Sequence, residues 1–350
     1  MSQFLYENTD FKRVVNNAAL RFGLRPDEVV KDYFMMFTLQ QIIKADPTMI
    51  LKGGTSLSKG YGLTNRFSED LDLAVSLEEK QHLSKSKLNR DKFRSIVTGI
   101  SATGFNYHAE DDNHGISERR NMNAIAVEIP IDIKQPSLRK YIKIEEETFS
   151  PGFPIEKRQI QSYISGYILE QTKTTDAVLL RFPELKPFEV MVQRPERTMI
   201  DKVMTIADNY LRGLQDPKKI KYTARSRDLY DIVKISDYLN KTHYDWQQLS
   251  SLIDKVRQER YYGDQKTAIS SAPGYNIGGL VIKALKDNYR EIEKDYNKNT
   301  IGLLSQADGE IKFENLVNRV KNLIKDPAWA SLWRSPSLIG PYRQKKGRER

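Results

Sequence analysis

A chain of 350 residues with 39% hydrophobic and 29% charged side chains can form one large core or two moderate ones, and two are expected. Its net charge of +10 and pI near 9.3 predict attraction to polyanions, and the absence of cysteine excludes disulfides, thiolate chemistry and the usual structural zinc sites. No apolar run is long enough for a bilayer, and the start at Met1-Ser2-Gln3-Phe4 lacks the pattern of a secretion signal, so a cytoplasmic protein is expected.

Asp10 caps a predicted helix that runs towards Arg21, and Pro26 followed by Asp27 and Glu28 opens another that carries Val30, Phe34, Phe37 and Ile42. Met49, Ile50 and Leu51 then lead as a strand into Lys52-Gly53-Gly54-Thr55-Ser56. A second strand follows in Arg66-Phe67-Ser68-Glu69-Asp70-Leu71-Asp72-Leu73, with Val75 continuing the alternation. Strand geometry places Asp70 and Asp72 on one face and the leucines on the other. Two adjacent carboxylates repel, and a cation such as Mg²⁺, held by one or two carboxylates plus substrate phosphates, relieves that cost. A turn without Cβ atoms lets backbone N–H groups approach phosphate oxygens. The combination points to a nucleoside-triphosphate site, against the plainer readings of a simple turn and a solvated strand face.

A helix is predicted near Asp91 to Ile100. Strand candidates follow at Ala124–Ile133, Tyr141–Ile144, Tyr163–Leu169 and Phe188–Val192, which makes this half α+β with a mixed or mainly antiparallel sheet. The histidines, His82, His108, His114 and His243, form no ligand-like spacing; His108 and His114 flank Asp111 and Asp112 in a polar loop.

Beyond a boundary near Arg194 the periodicity becomes helical, which divides the chain into 1–194 and 195–350. Helices are predicted over Pro195–Leu211, Ser226–Leu239, Tyr244–Arg257, Leu280–Tyr296 and Phe313–Lys325. Lys202 falls beside the apolar stripe Met199, Val203, Ile206 and Tyr210. Alone it reads as a snorkelling lysine; with a phosphate cradle elsewhere in the chain it reads as an ammonium for triphosphate oxygens. In Arg225-Ser226-Arg227-Asp228-Leu229-Tyr230-Asp231, the acids lie one turn apart. They either favour the helix N-terminus behind a Ser226 cap or orient Lys202 or a phosphate. Lys218, Lys219, Lys221, Arg225 and Arg227 with Tyr222 suit an RNA backbone and an unstacked base. The basic tail from Arg343 to Arg350 reads equally as a solubilising end.

These ordered blocks, Lys52-Gly53-Gly54-Thr55, Arg66-x-Ser68-x-Asp70-x-Asp72, Glu196 with Lys202, and Arg225-x-Arg227-Asp228-x-x-Asp231, resemble the AbiEii family of nucleotidyltransferase toxins of type IV toxin–antitoxin and abortive-infection systems. The resemblance implies a polymerase-β-like core with a helical C-terminal domain, a nucleoside triphosphate, and Mg²⁺ or Mn²⁺. It implies metal on Asp70 and Asp72, phosphates on Gly53, Gly54, Thr55, Arg66 and Ser68, and a site completed by Lys202 and Asp228, with Asp231 in support. It further implies growth arrest, nucleotide transfer to RNA with tRNA as the acceptor, and a cognate antitoxin of winged-helix type. A third carboxylate has two candidates, Glu128 and Asp132, four residues apart on one strand-like run with Pro130 between them. The same site could instead serve a protein or small-molecule hydroxyl, or bind nucleotide without turnover. A monomer is expected.

Overall fold

The computed structural model describes residues 4–75, 85–108, 118–119, 122–147, 152–171, 175–216, 225–263, 266–304 and 311–334. Two compact units divide the chain: Met1–Thr198 with Asn297–Ile311, and Met199–Tyr296 with Lys312–Arg350.

The first unit is α+β, as expected, and its described residues form an eight-stranded mixed sheet. The strands are β1 (Met49–Lys52), β2 (Asp70–Val75), β3 (Tyr107–His108), β4 (Glu118–Arg119), β5 (Met122–Glu128), β6 (Tyr141–Glu147), β7 (Ile155–Ile160) and β8 (Phe188–Gln193). Their order is β3-β5-β6-β2-β1-β8-β7, with β4 paired to β5. Strand β1 runs antiparallel to β2 and parallel to β8, and β2 runs parallel to β6. The glycine turn and the aspartates therefore leave the middle of the sheet, where both neighbours fix their register.

Alternation sorts the sheet into two unlike faces. Leu51, Leu71, Leu73, Ile125, Val127, Ile142, Ile144 and Val192 are buried in one core, each contributing about 2 kcal/mol of burial. A one-residue slip would turn all of them to the charged side, so the hydrophobic face locks the position of the acids.

Helices α1 (Phe11–Phe22) and α2 (Pro26–Ala45) begin where predicted, although the Asp10 side chain bonds Arg13 instead of capping α1, and a single turn, α3 (Gly53–Thr55), follows β1. Helix α2 is buried at every residue from Glu28 to Gln40, as a core helix must be when apolar side chains encircle it. It packs against α1, α4 (Lys85–Ser101) and α5 (Tyr163–Gln171). Its two consecutive charges, Lys31 and Asp32, find partners in Glu69 just ahead of β2 and in Lys59 of the helical run after the glycines, because buried charges survive only when paired.

The segment predicted as a strand over Tyr163–Leu169 is helix α5. Its β-branched and aromatic composition misleads, whereas its ends decide. Ser162 Oγ accepts from the Ser165 amide at 3.0 Å, and Asp32 accepts from the Tyr163 amide at 2.7 Å, so two orphan N–H groups of a first turn are satisfied. Ile164 and Ile168 then bury at helical spacing. The Ala124–Ile133 strand ends at Glu128, ahead of Pro130, so Asp132 is not on it. Strand β7 and helix α6 (Thr175–Arg181) were not anticipated; β7 is polar between its terminal isoleucines and pairs only with β8, as an edge strand can.

The second unit is helical. Helix α7 (Pro195–Gln215) enters it at Met199, followed by α8 (Ser226–Lys241), α9 (Gln247–Gly263), α10 (Ile277–Asp287), α11 (Tyr289–Asp295) and α12 (Phe313–Lys325). The single helix predicted over Leu280–Tyr296 is broken into α10 and α11 at Asn288, and Asn276 caps α10 through the Gly279 amide at 2.7 Å. Helix α12 matches its predicted span and buries Phe313, Leu316, Val317, Val320 and Ile324. Arg260 donates to buried Asp208 at 2.8 Å, and Asp208 accepts from the Ser270 amide at 2.7 Å, which ties α7 to α9 and to the turn after it.

Candidate active site

The turn after β1 closes directly on β2. Gly53 adopts φ +70°, a conformation that strains any residue with a Cβ, and an added Cβ would stand 2.0 Å from Asp72 Oδ2. At Gly54 an added Cβ would stand 2.5 Å from Arg66 Nη2 and 2.7 Å from Ser68 Oγ. Gly53 is required by its backbone conformation, and at both glycines the backbone of the turn lies against side chains, those of Asp72, Arg66 and Ser68. Thr55 Oγ1 donates to the Asp70 carbonyl at 2.5 Å and lies 3.1 Å from Ser68 Oγ, which staples the turn to the strand. The chain continues in a helical run from Gly53 to Gly60. Lys59, at its end, is anchored by Asp32 at 2.5 Å and lies 3.3 Å from the centre of the Tyr163 ring.

Asp70 and Asp72 share the charged face. Register places Lys52 beside Asp72 on one side and Glu145 on the other, and Lys143 beside Asp70. The carboxylates are interleaved with cations: Arg139 bonds Asp70, Lys143 bonds Glu145 and Lys52 bonds Glu147. Glu69, at the foot of β2, is held by Lys31 at 2.9 Å and by the Arg139 amide at 3.0 Å. Burial alone would raise the Glu69 carboxyl, but Lys31 and Arg139 outweigh it and keep it below the usual carboxylate range. Buried Ala124 and Ala126 on β5 and the packed ring of Tyr141 on β6 complete this face.

In the second unit, Lys202 on α7 is clamped by two acids of α8, Asp228 at 2.8 Å and Asp231 at 2.7 Å. Arg225 Nε lies 3.6 Å from the other Asp228 oxygen. Ser226 does not cap α8 with its side chain; its amide and hydroxyl both donate to Asp295, at 2.9 and 2.6 Å. The acids face Lys202 rather than the helix end. Burial would raise Asp228, yet Lys202 and Arg225 outweigh burial and hold its carboxyl below the ordinary value. Such a group stabilises the fold above its unfolded pKa and loses that contribution as pH falls through its lower folded value. The Asp228→Asn variant is therefore expected to be less stable than the parent at pH 7, with the gap closing below about pH 4. Urea denaturation at the two pH values measures this.

The structure brings Gly53, Gly54, Thr55, Arg66, Ser68, Asp70 and Asp72 together in the first unit, and Lys202, Arg225, Asp228 and Asp231 together in the second. Glu196 is buried beside Arg194 at 2.9 Å, and burial raises its carboxyl. Glu128 lies on the charged face at the end of β5, opposite Tyr141, and accepts from Asn106 at 3.2 Å. Asp132 lies beyond the strand, exposed and paired with Lys140 at 3.1 Å. The carboxylate next to Asp72 is Glu145, absent from the sequence expectation. Its signal was the Tyr141-Ile142-Lys143-Ile144-Glu145 alternation, readable only once β6 is known to pair with β2. Arg139 was likewise missed. Lys218, Lys219, Lys221, the basic tail, His82, His114, Asp111 and Asp112 lie outside the described residues.

A family model described as nucleotidyl transferase AbiEii toxin, type IV toxin–antitoxin system, matches residues 39–333. The chain belongs to the AbiEii family. No curated protein matches it. The AbiEii match begins within α2 and ends at Trp333, so it takes in both the glycine–aspartate cluster and the Lys202 cluster. Membership makes the chain a nucleotidyltransferase toxin and implies a nucleoside triphosphate substrate and an antitoxin partner. No helix among the described residues is long and apolar enough to cross a membrane.

AbiEii nucleotidyltransferases imply a divalent cation. Among the described residues no three carboxylate or imidazole groups converge into a ready cage. Mg²⁺ does not need one, because it keeps its waters and binds one or two carboxylates plus substrate phosphates. The donors here are carboxylate oxygens alone, adjacent to a turn whose backbone a Cβ would block. This set fits a hard cation carried in with a triphosphate.

Proposed function

We propose that this AbiEii chain transfers a nucleotidyl group from a nucleoside triphosphate to an RNA hydroxyl, with tRNA as the acceptor, in a reaction dependent on Mg²⁺ or Mn²⁺. The observation that carries the reading is the approach of Asp72 to Gly53, so close that an added Cβ would force the carboxylate to shift. A carboxylate against a side-chain-free turn is what would hold a divalent cation and leave backbone amides open to a phosphate.

In the reaction, the acceptor oxygen bonds the α-phosphorus, the bond from that phosphorus to the bridging oxygen breaks, and pyrophosphate leaves. Asp70 and Asp72 would hold the cation, which when bound would neutralise the charge of the triphosphate and the charge developing at the reacting phosphoryl group. Glu145 takes the proton of the attacking hydroxyl. Backbone amides at Gly53, Gly54 and Thr55, with Ser68 and Arg66, hold phosphate oxygens, the Thr55 hydroxyl being spent on the Asp70 carbonyl, and Lys202, oriented by Asp228 and Asp231, supplies a further positive charge. The protein's contribution is positioning and charge neutralisation.

The RNA acceptor is supported by the net charge of +10 and by the crowding of Lys218, Lys219, Lys221 and Arg225. The antitoxin is proposed to be of winged-helix type, the toxin monomeric, and the site of action cytoplasmic. The acceptor is tested by incubating the protein and Mg²⁺ with each α-³²P-labelled triphosphate and a whole-cell lysate, then separating RNA, protein and small molecules. Label is expected in RNA, in the tRNA size class, and its incorporation should fall steeply as salt rises. Label confined to protein or small molecules would replace the RNA reading with transfer to another hydroxyl.

A further inference from the structure

We propose that Arg139 is a built-in counter-cation for Asp70, occupying that carboxylate until a divalent cation displaces it. The inference rests on Asp70 being a cation ligand. Arg139 stands in the loop before β6, and its Nη1 donates to Asp70 Oδ1. Its backbone is pinned at both polar atoms: the amide donates to Glu69 Oε2 at 3.0 Å, and the carbonyl accepts from Lys31 Nζ at 2.9 Å. Lys31 and Glu69 pair with each other at 2.9 Å, with side chains 0% and 7% exposed.

A buried ion pair is a poor source of stability, because desolvating two charges consumes most of the attraction between them and an apolar pair often packs as well. This one accomplishes something that an apolar pair would not, since it holds the peptide groups of a loop residue whose guanidinium reaches a site carboxylate. The side chain of Arg139 remains 32% exposed and that of Asp70 20%. The backbone is fixed while the guanidinium keeps a path to water, so it can leave Asp70 without moving the loop. Its planar fork suits phosphate as well as carboxylate, which gives it a second partner when a triphosphate arrives. Arg139 thus neutralises Asp70 in the unloaded protein and competes with the metal there.

The test is a Mn²⁺ titration of the full chain without nucleotide, followed by electron paramagnetic resonance, on the parent, Arg139→Gln, Arg139→Met, Arg139→Lys and Asp70→Asn. Removing an internal competitor worth on the order of 1 kcal/mol should tighten Mn²⁺ binding about fivefold in both neutral variants. Arg139→Lys, which keeps the charge, should stay near the parent, and Asp70→Asn should lose the site. Two neutral variants guard against one failing to fold. Unchanged or weaker binding in both, with Asp70→Asn still losing Mn²⁺, overturns the counter-cation and leaves the metal assignment standing. Equal tightening in Arg139→Lys also overturns it. Mn²⁺ binding that persists in Asp70→Asn, or is absent from all the proteins, overturns the metal assignment and this inference together.

Discussion

Asparagine at position 72 is expected to lower nucleotidyl transfer about 10³-fold or more while the protein stays folded. Metal-borne charge stabilisation is worth several kcal/mol in such reactions, and each 1.36 kcal/mol is a factor of ten in rate. The amide keeps the shape of the carboxylate against Gly53 and removes the charge. The neighbours of Asp72 in register, Lys52 and Glu145, belong to strands locked by their apolar faces, so the sheet has no reason to move. Initial rates and a thermal melt measured together distinguish the outcomes: a loss of rate with unchanged melting supports the role, and a loss of less than about tenfold contradicts it.

The second large effect is expected at Lys202. Replacement by methionine leaves Asp228 and Asp231, with side chains 7% and 0% exposed, without the ammonium that lies within 2.8 Å of each. Breaking a buried pair by removing one partner costs about 3–5 kcal/mol. The melting temperature should therefore fall on the order of 10 °C. The triple variant Lys202→Met, Asp228→Asn, Asp231→Asn removes all three charges and should recover most of that stability, because no buried charge is left unpaired and Arg225, which also faces Asp228, has a half-exposed side chain that water can solvate. It should not recover activity if Lys202 acts on the triphosphate. Recovery of both would make the cluster purely structural.

The parts of this molecule that local chemistry dictates were legible in its sequence. Pro26 at the start of α2, the alternation in Asp70-Leu71-Asp72-Leu73, the glycines before them and the apolar period of Phe313–Lys325 each specify an element without reference to the rest of the chain. Tyr163–Gln171 was not legible, because its helix is decided by Ser162 and by Asp32, more than a hundred residues away. Glu145 and Arg139 escaped for the same reason. Only the parallel pairing of β6 with β2 puts Glu145 beside Asp72, and only the buried Lys31–Glu69 pair fixes Arg139 next to Asp70. Glu128 and Asp132 were grouped by a strand that in fact stops between them.

The most direct test of the central claim, that the Asp70–Asp72 face and the glycine turn carry out nucleotidyl transfer, is a paired labelling experiment with α-³²P and γ-³²P triphosphates and a tRNA acceptor. The α label is expected to enter the acceptor, the γ label to leave as pyrophosphate, and both signals to vanish in Asp72→Asn. Transfer of γ label to the acceptor, or α-label transfer that persists in Asp72→Asn, would contradict it.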